Sequence, residues 1–151
     1  MKYYLIKSEE SCYSIDDLKR DKKTAWEGVR NFQARNFMLN DMEIGDMALF
    51  YHSNGNPSGI VGVARVCSKS HSDLSALDKK DEHFDPKSTK EKPTWFCVDF
   101  CFEKKFKKII SLEQIKKDKV LSSMIVAKKG NRLSITPVFK KHFDFVLKLS
   151  K

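Results

Sequence analysis

No apolar run in this 151-residue chain is long enough to cross a bilayer. The N-terminus, MKYYLIKSEE, reaches charge after Ile6 without a long apolar stretch or a small-residue cleavage site. Neither a membrane span nor a secretory signal is read here, and a cytoplasmic location is expected. Glycine and proline are scarce, 6 and 4 residues, which excludes collagen-like and low-complexity classes. The four cysteines, Cys12, Cys67, Cys97 and Cys101, form no CxxC pair and no Cys/His quartet at zinc-ligand spacing, so all four are read as reduced and structural. Cys97 and Cys101, four apart in a strand-like stretch, would share a face about 13 Å apart, too far to bridge each other. GxGxxG, P-loop and GxSxG motifs are missing, and with them the simplest dinucleotide, NTPase and hydrolase readings. The H-x-E and P-C-x-x-C elements of a zinc deaminase are missing too.

What is present suits one compact domain over residues 1–151. Hydrophobic residues make up 40% and aromatics 11%, and a chain of this mass buries about 69% of its surface on folding, enough for a core without staples. Lys plus Arg number 29 against 20 Asp plus Glu, a net charge of +9. That balance favours anionic partners, nucleic acid first. A Lys-rich solvated surface alone would give the same count, so the motifs must decide.

Tyr3 to Lys7 reads as a first strand, and Ser14 with Asp17 makes a capping box opening a helix near Ile15 to Lys19. Asn31 can cap a helix running to about Leu39. Met47 to His52 and Ile60 to Val66 read as a hairpin around the turn-rich SNGNPSG. Ser68 to Thr94 is polar and long, the mark of a functional lid or mobile insertion. Trp95 to Phe102 alternates, with Phe96, Val98, Phe100 and Phe102 predicted on the core face. Ser111 and Gln114 open a short helix, and Leu121 to Val126 fits helix or strand. Arg132 to Ile135 reads as a strand, after which Thr136-Pro137 is predicted to cap a final helix. Short strands and helices without regular alternation predict an α+β fold, a small curved mixed sheet or barrel flanked by short helices.

Four segments carry aromatics, amides, hydroxyls and basic groups together: KSEE at Lys7 to Glu10, WEGVRNFQARNF at Trp26 to Phe37, FYHSN at Phe50 to Asn54 and GNRLS at Gly130 to Ser134. With YSIDDL, GIVGVARV, FDPKS and KPTWFCVDF in the same order, the chain resembles the EVE domain family over nearly its whole length. The resemblance implies a PUA-like fold, related to ASCH and YTH domains, and a pocket accepting a nucleobase, often modified, in DNA or RNA. Two positions depart from the family pattern: Glu10 stands where KSEP has Pro, and Ser58 where the turn often has a second Pro. The first bears on the geometry of the Ser8 wall.

Residue chemistry points the same way, because an extruded base needs an aromatic slot for its faces and fixed donors and acceptors for its edge. Trp26 and Trp95 are the candidate walls, against the alternative of packed core indoles. Asn31 reads a base edge, caps a helix, or does both. Arg30 is favoured as a phosphate or carbonyl ligand over a structural ion pair, while Arg35 suits either a ligand role or plain solvation. Gln33 reads an amide edge or lies inert on a helix surface. Of Tyr51, His52 and Ser53, alternation admits only part to one pocket; Tyr51 and Ser53 are favoured, and His52 reads better as a hydrogen-bonded structural histidine that the resemblance keeps among the candidates. Ser8 offers a hydroxyl to the base edge or to its own turn. Arg132 and Ser134, predicted on one strand face, complete phosphate and base contacts, and Lys87 in the long loop adds backbone or surface charge. No cofactor or metal is implied.

An enzyme would need a nucleophile or metal with a tuned base, and Cys12, His52 and Asp99 lack any local catalytic motif. A protein-interaction module would need no polar pocket. The sequence therefore predicts a non-enzymatic nucleic-acid-binding module; an interaction module or an enzyme acting on nucleic acid are the alternatives.

Overall fold

The structure, a computed structural model, describes residues 1–151. Its frame is a mixed six-stranded sheet. The strands are β1 Tyr3–Glu9, β2 Lys23–Ala25, β3 Met47–Ser53, β4 Gly59–Val66, β7 Asp99–Ser111 and β8 Ile135–Val138, arranged in the order β2-β7-β4-β3-β1-β8. β1 and β3 run parallel, and every other neighbouring pair is antiparallel. Register shifts at Phe50/Tyr51 and twice between β4 and β7 bulge the strands and curl the sheet. β5 (His71–Ser72) and β6 (Phe96–Cys97) form a separate two-stranded ribbon. Four short helices complete the chain: α1 Ile15–Asp21, α2 Phe32–Asn36, α3 Leu112–Lys117 and α4 Lys140–Leu149. This is the α+β architecture the sequence predicts.

The period-2 geometry of the strands divides the interior in two. Tyr4, Ile6, Ala48, Phe50, Ala64 and Phe100 pack on one face with Leu18, Trp26 and Met38. Leu5, Leu49, Tyr51, Val63 and Phe106 pack on the other with Ile115, Leu121, Phe143 and Val146. Both faces of the sheet are therefore buried, and parity along a strand selects which core a side chain enters.

Local signals hold at several helix starts. Ser14 Oγ accepts from the Asp17 N–H at 3.1 Å while Asp17 accepts from the Ser14 N–H at 2.9 Å. Asn31 caps α2, which runs on through a wider turn at Phe37–Asp41, and Ser111 caps α3. Elsewhere the structure corrects the sequence. Thr136 and Pro137 do not cap a helix: they lie within β8, where Pro137 is tolerated because β8 is an edge strand, and α4 begins at Lys140 with no side-chain cap. Arg132 and Ser134 sit in the loop before that strand, not on one strand face. The alternation of Trp95 to Phe102 breaks at Val98, where the chain passes from the ribbon to the main sheet, so Trp95, Cys97 and Val98 are all buried. Leu121 to Val126 forms two 3-10 turns. Cys67 and Cys101 are paired in a disulfide with Cα atoms 6.0 Å apart, so only Cys12 and Cys97 are free thiols.

Candidate functional site

At one end of the parallel β1/β3 pair the sheet opens into a cavity of about 480 Å³, within the range of small-ligand sites. Its wall is built from the end of β1 (Lys7, Ser8), Tyr13, β2 (Thr24, Ala25), the loop from Trp26 to Asn31, and Ser134. Trp26 forms its aromatic floor. Three rings, Tyr13, Phe50 and Phe100, meet the indole edge to face at 5.5–6.4 Å and fix its plane. The Trp26 N–H donates to the Val98 carbonyl at 2.9 Å, which holds the loop to the sheet.

The rim is polar. Ser8 Oγ donates to the Tyr13 carbonyl at 2.8 Å, leaving its lone pairs as the acceptor it can offer. Asn31 Oδ1 accepts from the Ala34 N–H at 3.0 Å, so capping takes the oxygen and the two Nδ2 hydrogens remain. Gly28 has a positive φ of 88°, and a Cβ there would lie 2.8 Å from the His83 imidazole. No other residue fits that turn without a shift.

The long excursion from Ser68 to Thr94 is a strap fastened to this loop. Arg30 is its anchor: Nε donates to the His83 carbonyl, Nη1 to the Val29 carbonyl and Asp73 Oδ2, and Nη2 to Ser75 Oγ and the His83 carbonyl, at 2.7–3.1 Å. All five guanidinium hydrogens are thereby engaged. The structure shows the ion-pair alternative for Arg30, a part-buried guanidinium on the buried Asp73 carboxylate at the cavity wall, and its phosphate or carbonyl role stays an expectation. Asp73, 1% exposed, also accepts from the Gly28 N–H and from the Ser75 hydroxyl and N–H. Burial pushes its carboxyl up, but Ser75, Arg30 and Gly28 outweigh that and hold it below the usual carboxylate range. Glu27 on the same wall is pushed the other way by burial and by the charge of Asp73.

Trp95 is not a cavity wall. Its indole N–H donates to Asp85 Oδ2 at 2.7 Å, and Phe32 stacks on its ring. Arg35 is tied to Asn36 and to the Thr94 carbonyl. Gln33, Lys87 and Arg132 are exposed and do not line the cavity. Tyr51 turns into the opposite core because it alternates with Phe50 and His52. His52 is buried; its Nε2 accepts from the Ile15 N–H at 3.1 Å, and burial holds the imidazole below its ordinary pKa. Glu10, the departure from the family pattern, is exposed and places Oε2 3.8 Å from His52 Nδ1, while Ser53 ends β3 away from the cavity. The structure thus gathers Ser8, Trp26, Arg30, Asn31 and Ser134 and leaves the rest outside. Sequence reasoning missed Tyr13, Thr24, Glu27 and Asp73; the β2 strand that presents Thr24 is three residues long and carries no hydrophobic signature.

One constellation of catalytic residue types lies apart from the cavity. His71 Nε2 is 2.8 Å from Asp99 Oδ1, with Cys97 Sγ 3.8 Å from Nδ1. Burial lowers the His71 pKa, but the bonds to Asp99 and the Ser72 carbonyl outweigh it and leave the imidazole above its ordinary value. Cys97 is wholly buried, and burial with the nearby carboxylates drives its thiol far up. A protonated, enclosed sulfur is no nucleophile.

A curled mixed sheet flanked by short helices, opening at the end of its parallel pair into an aromatic-floored cavity, is a PUA-like α+β fold. The chain belongs to the EVE domain family, whose model matches residues 2–149. It is 39% identical to thymocyte nuclear protein 1 of Gallus gallus, across 99% of this chain and 69% of that protein. A crystal structure from Pseudomonas syringae superposes with a TM-score of 0.94 at 38% identity, covering 99% of both chains. The human THYN1 protein, solved in complex with DNA containing 5-methylcytosine, superposes with a TM-score of 0.90 at 35% identity, covering 100% of this chain and 98% of that one. A YTH domain of Zygosaccharomyces rouxii, 12% identical with a TM-score of 0.58 over 99% of this chain and 86% of that one, shares the fold alone.

Proposed function

We propose that this chain is a non-enzymatic nucleic-acid-binding module that takes one modified base, unpaired or turned out of its stack, into the Trp26 cavity. The observation that carries the reading is the cavity itself: a rigid aromatic floor and a rim of fixed polar groups, in a chain similar over its whole length to a protein solved with 5-methylcytosine DNA. A base has two flat apolar faces and one polar edge. Trp26 meets a face, while Asn31 Nδ2, Ser8 Oγ and Ser134 Oγ meet the edge. A base paired inside a duplex cannot enter such a cavity, so the strand must present it unpaired. The excess of Lys and Arg holds the phosphates on either side.

The test is equilibrium binding to matched oligonucleotides, DNA and RNA, carrying cytosine, 5-methylcytosine or other modified bases at one unpaired position. Several-fold tighter binding of a modified strand, recovered unchanged by mass spectrometry, is expected. Equal affinity for modified and unmodified strands would defeat the modified-base reading. A chemically altered strand would replace the reader with an enzyme.

A further inference from the structure

Beside the cavity stands an aromatic ring that the fold does not bury. Phe32 follows Asn31 directly, opens α2, and is 57% exposed. Its ring stacks on Trp95 with centroids 4.8 Å apart and planes 18° from parallel. The Arg35 guanidinium carbon lies 4.7 Å from the Phe32 centroid and 5.9 Å from that of Trp95. Were Trp95 and Arg35 on opposite faces of Phe32, their separation would approach the sum of the two shorter distances. It is far less, so the two do not sandwich the ring, and with 57% of its surface exposed Phe32 keeps apolar area for a further partner.

The Trp95 side of the stack is stiff. Trp95 is 6% exposed and pinned by Asp85, and the Arg30 guanidinium, immobilised by its own bonds, lies 5.1 Å from the indole centroid. An exposed phenyl ring held at a fixed angle, with a cation alongside, suits one flat apolar partner whose neighbouring group is anionic. A nucleotide is such a partner. We propose that Phe32 is a stacking platform for the nucleobase adjoining the one held in the cavity. The inference rests on the nucleic-acid reading of the Trp26 cavity and adds a second base subsite to it. Stacking is tolerant of base identity, so Phe32 sets affinity while the cavity sets preference.

A thermodynamic cycle tests it. Wild type and Phe32→Ala are titrated with single-stranded DNA carrying 5-methylcytosine, with the flanking base on either side intact or replaced by an abasic site. Phe32→Ala is expected to weaken binding to the intact strand roughly 5- to 150-fold, the range of one base–aromatic stack. Phe32→Trp retains affinity, and the preference for 5-methylcytosine over cytosine is unchanged in both variants. An abasic site on the stacking side costs wild type the same factor and costs Phe32→Ala nothing. Phe32→Leu, which keeps bulk over Trp95 without a ring, repeats the cycle should Phe32→Ala melt early. Wild-type affinity in the variants, or losses that simply multiply with the abasic loss, would overturn the platform while leaving the cavity reading standing. A wild type that binds none of the strands overturns both.

Discussion

Asn31 commits only half of its amide to the fold. Its oxygen caps α2 through the Ala34 N–H, while its nitrogen makes no hydrogen bond within the protein, on a residue that lines the cavity. Asn31→Asp keeps the capping oxygen and removes the donors, so unfolding free energy should stay within about 0.5 kcal/mol of wild type. Affinity for a 5-methylcytosine strand should fall by about 1–3 kcal/mol, the cost of an unmet polar edge. Asn31→Ser, neutral and still able to cap, separates lost hydrogen bonding from added charge. Denaturation and fluorescence anisotropy read the two quantities independently. At this scale much of the site was legible: Trp26, Asn31 and Ser8 declare themselves by residue type within unusual segments. Tyr51 did not, because with both faces of the sheet buried, apolar content along β3 cannot reveal which parity packs toward Trp26. The satisfied donors of Arg30 were equally hidden, since its partners Asp73 and His83 lie 43 and 53 residues away.

The strap from Ser68 to Thr94 acts as a latch on the cavity loop, and Asp73 is its catch. Removing it takes the counter-charge from the part-buried Arg30 guanidinium and leaves the Gly28 and Ser75 donors without their acceptor. Asp73→Ala should therefore cost about 3–5 kcal/mol by chemical denaturation, with protease cleavage within the strap rising in parallel. Because the folded carboxyl lies below its unfolded value of 3.8, its contribution is complete above that pH. It is lost as pH falls through the folded value. Acid denaturation of wild type should show this loss, and Asp73→Ala should lack it; an unaltered acid limb would remove Asp73 from the account. Among the elements, the hairpin, the first helix and the α2 start followed from local signals such as Ser14 with Asp17. Pro137 misled because proline marks helix starts and edge strands alike, and only the sheet order tells which applies. The strap read as an insertion because its structure comes from turns and distant polar ties, not from hydrophobic period.

For the whole molecule, the net charge of +9 predicts the salt response of binding. The logarithm of affinity should fall linearly with the logarithm of salt, with slope about −0.7 to −0.9 per phosphate neutralised. Titration of one oligonucleotide at four or five salt concentrations reads it. A flat response would leave the lysines as mere surface.

The pairing of β1 with β8 has a temporal consequence. The Lys7 N–H donates to the Ser134 carbonyl at 2.9 Å, so two of the cavity's walls come from opposite ends of the chain. On a ribosome adding roughly 5–20 residues per second, Ser8 is made many seconds before Ser134. Throughout that interval the outer edge of β1, apolar at Tyr4, Leu5 and Ile6, has no strand beside it and is open to a neighbouring nascent chain. The cavity is completed only when β8 docks, and the same event closes the edge through which newly made copies would associate.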